Sequence, residues 1–160
     1  MIWIGIDPGQ RGALAIIGWG AALAEYDATA RLEDGPLIIP FDRDRYIGTL
    51  LAVETSGVEC VCCIEDVHSL PREGVVAAHN FGRSIGWLHG ILDAIGIPYQ
   101  PITPQKWKKE FGLNSDKANS IEVCKRLYPG VNLLRTERSR KEDDNMAEAL
   151  LLSTYAKRKF

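Results

Sequence analysis

The sequence predicts an α/β protein built on a mixed five-stranded sheet, with three antiparallel leading strands, parallel strands after them, and helices on both faces. Two observations carry this prediction. The apolar segments near the N-terminus are joined by short turns, as in β-hairpins, whereas the later segments alternate between helical and extended patterns, as in crossover connections. At 160 residues the chain has the length of one ordinary domain, so residues 1–160 are expected to form a single domain.

The leading strands are recognised by their alternation and by the turns between them. Residues 2–7 place isoleucine at every second position, which is the period of a strand. A Pro-Gly turn follows, and residues 11–19 return as a second apolar strand. A third strand is expected at residues 22–29 or, alternatively, at residues 36–41.

The remainder of the chain alternates between helical and extended patterns. Apolar residues recur at helical spacing after residue 42, whereas the run rich in Val, Ile and Cys that follows is typical of a buried strand. The expected elements are a helix at 42–55, a strand at 58–67, a helix at 74–95, a strand at 97–102, and helices from 103 onward, at 115–127 and at 142–157.

Composition places the chain among ordinary globular proteins. It is 46% hydrophobic and 25% charged, which excludes a disordered, collagen-like or disulfide-scaffold protein. The longest uncharged stretch, residues 12–24, has 13 residues, whereas a helix that spans a bilayer needs about 20. Asp7 and Arg11 interrupt the apolar opening, so we expect no secretory signal, no membrane partner and a cytoplasmic location.

The four cysteines do not form a metal-binding pattern. Cys60, Cys62 and Cys63 crowd into one apolar run, and Cys124 lies far from them. A zinc site would need a second ligand pair at comparable spacing. We therefore expect buried thiols on a strand.

The net charge of −2 hides an asymmetry between the two parts of the chain. Residues 1–100 carry 6 Lys and Arg against 13 Asp and Glu, a balance of −7, whereas residues 101–160 carry 13 against 8, a balance of +5. The basic part could contact a polyanion such as a nucleic acid, or it could be a solvated helical surface.

Two acids lie where predicted strands end. Asp7 closes the first strand, and Glu65 lies near the end of the apolar strand predicted at residues 58–67. Burial of an unpaired carboxylate is costly, so each is a candidate cation ligand, although either alone could be a strand-end cap or a surface charge. If the two strands are neighbours, both acids share one edge of the sheet, while Asp66 points to the opposite face.

A second acidic pair opens the final predicted helix. Asp144 and Glu148 are four residues apart, so they project from one helix face and repel each other unless a cation lies between them. Alone, the pair could be a solvated first turn, where acids suit the helix dipole. With Asp7 and Glu65 it forms a cluster of oxygen ligands that selects Mg²⁺, or Mn²⁺ in its place, and two such ions clamp a phosphodiester for attack by water.

The acids lie in a series of motifs that runs through nearly the whole chain. In order, these are residues 4–9 (IGIDPG), 12–15 (GALA), 64–67 (IEDV), 101–109 (PITPQKWKK), 115–117 (SDK) and 147–150 (AEAL). At these spacings the series resembles the RuvC-type Holliday-junction resolvases of the ribonuclease H-like superfamily, particularly their phage-encoded members. The resemblance implies a ribonuclease H-like fold for the predicted five-stranded sheet.

The resemblance implies a homodimeric, magnesium-dependent endonuclease that resolves Holliday junctions or other branched DNA by paired nicks. The four carboxylates would hold two metal ions in each active site and take part in catalysis. Lys106 and Lys117 best match the lysines that such enzymes place near the scissile phosphate. An ammonium group there offsets the negative charge that develops on the phosphate.

The chain departs from the bacterial members of this family at two places. Their final-helix acids are usually aspartates three residues apart, whereas here the acids are four apart and end in Glu148, which leaves Asp143 as an alternative to Asp144. Three positions beyond the acid that Glu65 matches, those enzymes often have an aromatic residue, which inserts into the junction. This chain has His68 there, which could stack on DNA or be a polar loop residue.

Three glycines recur at helical spacing. Gly82, Gly86 and Gly90 form one stripe, and each costs a helix about 1 kcal/mol relative to alanine, so the stripe needs a packing reason. Its flat backbone could contact a second subunit, as the resemblance implies, or the protein's own sheet.

A tryptophan lies among lysines in the 101–109 motif. Trp107 with Lys106, Lys108 and Lys109 could form a DNA-binding patch with a stacking aromatic ring. Alternatively, Trp107 belongs to the core and the lysines are solvated.

Two other functions fit parts of the sequence. A protein of this fold could bind branched DNA without cutting it, which would require a broken acid cluster. An actin-like or sugar-kinase-type ATP-binding phosphotransferase also carries an acid and glycines in its first hairpin. Such a protein needs a second phosphate loop and an adenosine pocket, which 160 residues hardly accommodate.

Overall fold

A computed structural model describes residues 1–20, 35–68, 74–113 and 117–160, with the side chains of residues 117 and 118 outside the described part. The strands are β1 (Ile2–Asp7), β2 (Ala13–Ile17), β3 (Leu37–Pro40), β4 (Cys60–Glu65) and β5 (Tyr99–Ile102). The helices are α1 (Arg43–Thr55), α2 (Val75–Ile95), α3 (Pro104–Glu110), α4 (Lys117–Leu127) and α5 (Asp144–Lys159).

The five strands form one sheet in the order β3-β2-β1-β4-β5. β2 pairs antiparallel with both β1 and β3, whereas β4 pairs parallel with both β1 and β5. The predicted mixed sheet, antiparallel at first and then parallel, is therefore confirmed. The third strand lies within the 36–41 alternative, and residues 22–29 lie outside the described part of the chain.

Side-chain alternation along the strands builds a separate core on each face of the sheet. Ile2, Ile4 and Ile6 pack on one face with residues of α1 and α2. Ala15 and Cys63 belong to the opposite face, which α3, α4 and α5 cover. Helices therefore lie on both faces, as predicted.

Helix α5 packs directly on β1 because β1 has a glycine at the contact. An added Cβ at Gly5 would lie 2.2 Å from the backbone oxygen of Ala149 and 2.2 Å from the backbone nitrogen of Ser153. Gly5 and Asp7 share this face of β1, since they are two residues apart on a strand. The close approach brings the α5 backbone next to the strand that ends in Asp7.

The helix starts follow from local capping. Asp42 caps α1 by accepting a hydrogen bond of 3.0 Å from the N–H of Arg45, as an N-cap aspartate does. Thr103 and Pro104 open α3 as the sequence predicts, although Thr103 makes no side-chain capping bond. In the described ranges, none of the helices has both the length and the apolar character needed to cross a bilayer.

Cys62 and Cys63 lie buried on opposite faces of β4, as expected for strand thiols. Burial raises the pKa of the Cys63 thiol to about 11. Cys60 is half-buried and Cys124 is buried in a different part of the core, and all four are free thiols.

Candidate active site

Two of the predicted acids meet at one edge of the sheet. β1 and β4 are parallel neighbours with Ile6 opposite Ile64, so the next residues along, Asp7 and Glu65, end their strands side by side. Both acids are buried, and each of them is only 7% exposed. The condition that the sequence left open, that the two strands be neighbours, is therefore met.

The third acid comes from α5. Glu148 is 5% exposed, and one carboxylate oxygen from each of Asp7, Glu65 and Glu148 lies within 4.8 Å of the other two. Residue 148 precedes Ala149, whose carbonyl contacts Gly5, so the contact between α5 and β1 is what brings Glu148 to the sheet edge. We call these three residues the carboxylate cluster.

The other two acids at the start of α5 lie outside this cluster. Asp144 is half-buried in the first turn of the helix and does not belong to the group of oxygens within 4.8 Å of one another. Asp143 is the N-cap: its Oδ1 accepts hydrogen bonds from the N–H groups of Asn145 at 3.0 Å and Met146 at 3.1 Å.

Asp143 is also paired with a cation. Its Oδ2 lies 2.7 Å from Nε of Arg135. The Nη2 atom of Arg135 donates a hydrogen bond to the backbone oxygen of Arg11. Burial alone would raise the pKa of Asp143, but the hydrogen bonds from Arg135, Met146 and Asn145 outweigh it and hold this pKa below its ordinary value. Asp143 therefore fixes the start of α5.

Two buried donors hold the carboxylate cluster in place. Nε1 of Trp107 donates a hydrogen bond of 2.9 Å to Oε1 of Glu65, and Oγ of Ser120 donates one of 3.3 Å to Oε1 of Glu148. Trp107 is fully buried, so the alternative that makes it a core residue holds, and its ring is not available to stack on DNA. The sequence signalled Trp107 by its place among lysines, whereas nothing marked Ser120.

Among the lysines whose side chains are described, Lys108 contacts the cluster. Its Nζ lies 3.0 Å from Oε1 of Glu148 and 5.1 Å from the centre of a Trp107 ring. Lys106 and Lys109 lie on another side of α3, where they are exposed and line a cavity of about 650 Å³ at the C-terminal end of α5. The structure thus brings Lys108, rather than Lys106, to the carboxylates.

The remaining predicted residues are His68, Lys117 and the three glycines of α2. His68 follows β4 and is exposed, with its Nε2 3.8 Å from Oδ1 of Asp66. Lys117 opens α4, and its side chain lies outside the described residues. An added Cβ at Gly82, Gly86 or Gly90 would meet no described residue within 4 Å, so this stripe does not pack against the strands of the protein's own sheet.

The chain is similar to solved structures of RuvC. A Thermus thermophilus RuvC in complex with a Holliday junction substrate has 16% sequence identity and a TM-score of 0.58, with 99% of this chain and 97% of that chain covered. A Thermus thermophilus RuvC structure has 15% identity and a TM-score of 0.54, with 96% and 91% covered. No protein-family model and no curated protein matches the chain. The fold of this protein, over nearly its whole length, is therefore the ribonuclease H-like fold of the RuvC resolvase structures.

Proposed function

We propose that the protein is a divalent-metal-dependent endonuclease that resolves Holliday junctions or other branched DNA by paired nicks. The observation that carries this proposal is the carboxylate cluster, in which Asp7, Glu65 and Glu148 come from two strands and a helix and approach one another within 4.8 Å while almost fully buried. The RuvC-type fold supports the same conclusion.

The cluster fits a divalent cation on its own chemistry. Three carboxylates that are buried close together repel one another, and a divalent cation between them removes that repulsion. The set contains oxygen ligands and no imidazole or thiolate, which favours Mg²⁺, with Mn²⁺ as a substitute. Asp7, Glu65 and Glu148 would hold the metal, and Asp144 at the start of α5 would be the fourth ligand. When bound, two ions at such a site polarise the phosphodiester and activate water.

The protein's own residues have distinct roles in this proposal. Trp107 and Ser120 each occupy one carboxylate oxygen and so fix how Glu65 and Glu148 present the other. Lys108, whose Nζ contacts Glu148, would offset the negative charge that develops on a phosphate bound at the cluster. Three exposed residues would contact the DNA backbone and the branch point: His68, Lys106 and Lys109. Lys117 would act near the scissile phosphate.

Branched DNA and a homodimer complete the proposal. The structure with the TM-score of 0.58 is a RuvC in complex with a Holliday junction substrate, which supports a four-way junction as the substrate class. Paired nicks need two active sites, and the open stripe of Gly82, Gly86 and Gly90 on α2 offers a flat backbone surface for a second copy of the chain.

A nicking assay on synthetic four-way junctions tests the function. The wild-type protein should cut in Mg²⁺ or Mn²⁺ and not in EDTA, and Asp7→Asn should lower the cutting rate by at least about a hundredfold while the junction is still bound, because fewer negative charges face the phosphates. The matched control is Asp44→Asn, which removes an exposed acid from the first turn of α1.

Three other outcomes of these assays would contradict the proposed function. Cutting that survives Asp7→Asn would remove the carboxylate cluster from the reaction. Binding of junctions by the wild-type protein without any cutting would indicate a non-cleaving junction-binding protein. ATP turnover in the absence of DNA would favour the phosphotransferase class.

A further inference from the structure

A second polar site lies next to the first hairpin turn, on the face of the sheet that α1 and α2 cover. It is a cavity of about 280 Å³ between the start of α1 and the middle of α2. The residues that line it are Gln10, Phe41, Arg43, Asn80, Arg83 and Ser84. None of the proposed metal ligands belongs to this set.

The described lining residues are rich in hydrogen-bond donors and include no carboxylate. Two guanidinium groups face the cavity, together with the side-chain amides of Gln10 and Asn80. Arg43 is held by Trp87, with its Cζ 5.2 Å from the ring centre. Arg83 is exposed and makes no ion pair with any residue in the described part of the chain. Such a set suits an anion with several oxygens, because guanidinium groups match phosphate geometry.

A buried hydroxyl strengthens this assignment. Ser84 is only 8% exposed, and its Oγ has no hydrogen-bond partner among the described residues. Buried polar groups without partners are uncommon in folded proteins, and each needs an explanation. Because Ser84 lines the cavity, rotation of its side chain would let a ligand oxygen supply the missing partner.

The sheet register relates this cavity to the cluster. Asp7 pairs with Ala13, and Ala13 pairs with Pro40, the residue before Phe41. Neighbouring strands lie about 4.8 Å apart, so Pro40 lies roughly 10 Å from Asp7 along the same edge of the sheet. The cavity and the cluster therefore lie near one edge of the sheet, on opposite faces, where a single DNA strand can contact both.

We propose that the cavity between α1 and α2 binds a backbone phosphate of the same DNA strand whose scissile phosphate lies at the carboxylate cluster, with Arg43, Arg83 and Ser84 as its contacts. The identity of the ligand rests on the proposed function, because it takes DNA as the substrate. The site would fix the direction in which the strand leaves the carboxylate cluster.

The salt dependence of junction binding tests this site. In EDTA, where no cutting occurs, the affinity for a four-way junction should fall with NaCl along a log-log slope that is shallower by about 0.9 in Arg83→Gln, the change expected for one lost phosphate contact. The matched control is Arg126→Gln on α4, an exposed arginine on the opposite face of the sheet, which should leave the slope unchanged.

Ser84→Ala separates a ligand contact from a structural one. The hydroxyl has no partner among the described residues, so its removal should not lower the melting temperature, whereas the affinity for the junction should fall roughly fivefold for one lost hydrogen bond. A slope in Arg83→Gln equal to that of the wild type and of Arg126→Gln would overturn the proposal.

A direct titration keeps this site distinct from the nuclease function. NMR signals of the arginine side chains should shift at Arg43 and Arg83 when tetrathymidylate is added, whether or not the protein cuts junctions. Shifts confined to other arginines would overturn the site. The same shifts at equal concentrations of inorganic phosphate would assign the cavity to a free small anion and overturn the contact with a strand.

Discussion

At the scale of single residues, the acids depend on partners that are distant in sequence. Trp107 is 42 positions from Glu65, and Ser120 is 28 positions from Glu148, yet each donates to its carboxylate in the buried site. A carboxylate held at one oxygen keeps a fixed orientation at the other, which lowers the entropy lost when a metal ion binds. We therefore expect these donors to act on metal affinity more than on stability.

Trp107→Phe tests this expectation at the most buried donor. Phenylalanine keeps an aromatic ring in the core but has no N–H group, so Oε1 of Glu65 loses its hydrogen bond. The Mg²⁺ concentration for half-maximal junction cutting should rise by about tenfold, the usual effect of removing a group that orients a metal ligand.

The control for this substitution is Trp19→Phe, which removes a comparable indole donor from a bond of 3.3 Å to the backbone oxygen of Gly35. Both variants should lose some thermal stability, and only Trp107→Phe should change the Mg²⁺ dependence. Equal Mg²⁺ dependence in both variants would mean that the Trp107 bond only stabilises the fold.

At the scale of elements, the placement of α5 decides whether the site exists. The helix carries Glu148 and is buried along most of its length, and its N-terminus is fixed by Asp143 and Arg135. Its contact with β1 requires a residue without a side chain at position 5. The motif around Asp7 therefore has a packing role as well as a chemical one.

Gly5→Ala should damage fold and function together. The added Cβ would lie 2.2 Å from the α5 backbone, so the helix must move away from β1, at a cost of about 1–3 kcal/mol in the free energy of unfolding. Glu148 would move with the helix, and junction cutting should fall far below the wild-type rate. Urea unfolding and the nicking assay measure the two effects.

Gly48→Ala is the matched control, because Gly48 lies inside α1 and an added Cβ there meets nothing within 4 Å. Alanine favours a helix over glycine, so this variant should gain up to about 1 kcal/mol and cut normally. Wild-type stability and cutting in Gly5→Ala would show that the close approach of α5 does not control the site.

At the scale of the whole molecule, α2 has the surface that is open to a partner. Its glycine stripe faces open space, and Val75 and Val76 at its N-terminus are 85% and 74% exposed. Exposed apolar side chains next to a flat helix backbone are typical of a contact between subunits. The proposed paired nicks depend on this contact, since one copy of the chain has one carboxylate cluster among its described residues.

Gly86→Glu tests the dimer by placing a charge in the middle of the stripe. Light scattering should give the mass of a dimer for the wild-type protein and of a monomer for the variant, because burial of an unpaired charge opposes association. The variant should then cut junctions with unpaired nicks. Thr55→Glu, which adds the same charge at an exposed position of α1, should remain dimeric. A wild-type monomer, or a dimer in Gly86→Glu, would contradict the assignment.

Much of the fold was predictable because local patterns decide it. The isoleucine alternation predicted β1 with its observed bounds, and periodicity with capping residues predicted the helices to within a few residues. The third strand remained ambiguous, because short apolar segments on either side of a loop have equal strand character until one of them pairs with β2.

The candidate site was predictable only in part. Asp7 and Glu65 could be placed at one edge because parallel neighbouring strands end together, but the choice between Lys106 and Lys108 depends on the rotation of α3 about its axis. Residues two positions apart on a helix, as these lysines are, point in directions that differ by about 200°. The sequence alone does not say which of these directions faces the carboxylates.

By itself the sequence determined the types of the elements, the acids and the order in which they occur, since these depend on the spacing and chemistry of nearby residues. The tertiary structure decided which side chains meet: Glu148 with the strand acids, Trp107 with Glu65, and Lys108 with Glu148. The physical reason is that contacts between elements depend on how closely and at what rotation the backbones pack, and that packing is a property of the whole core.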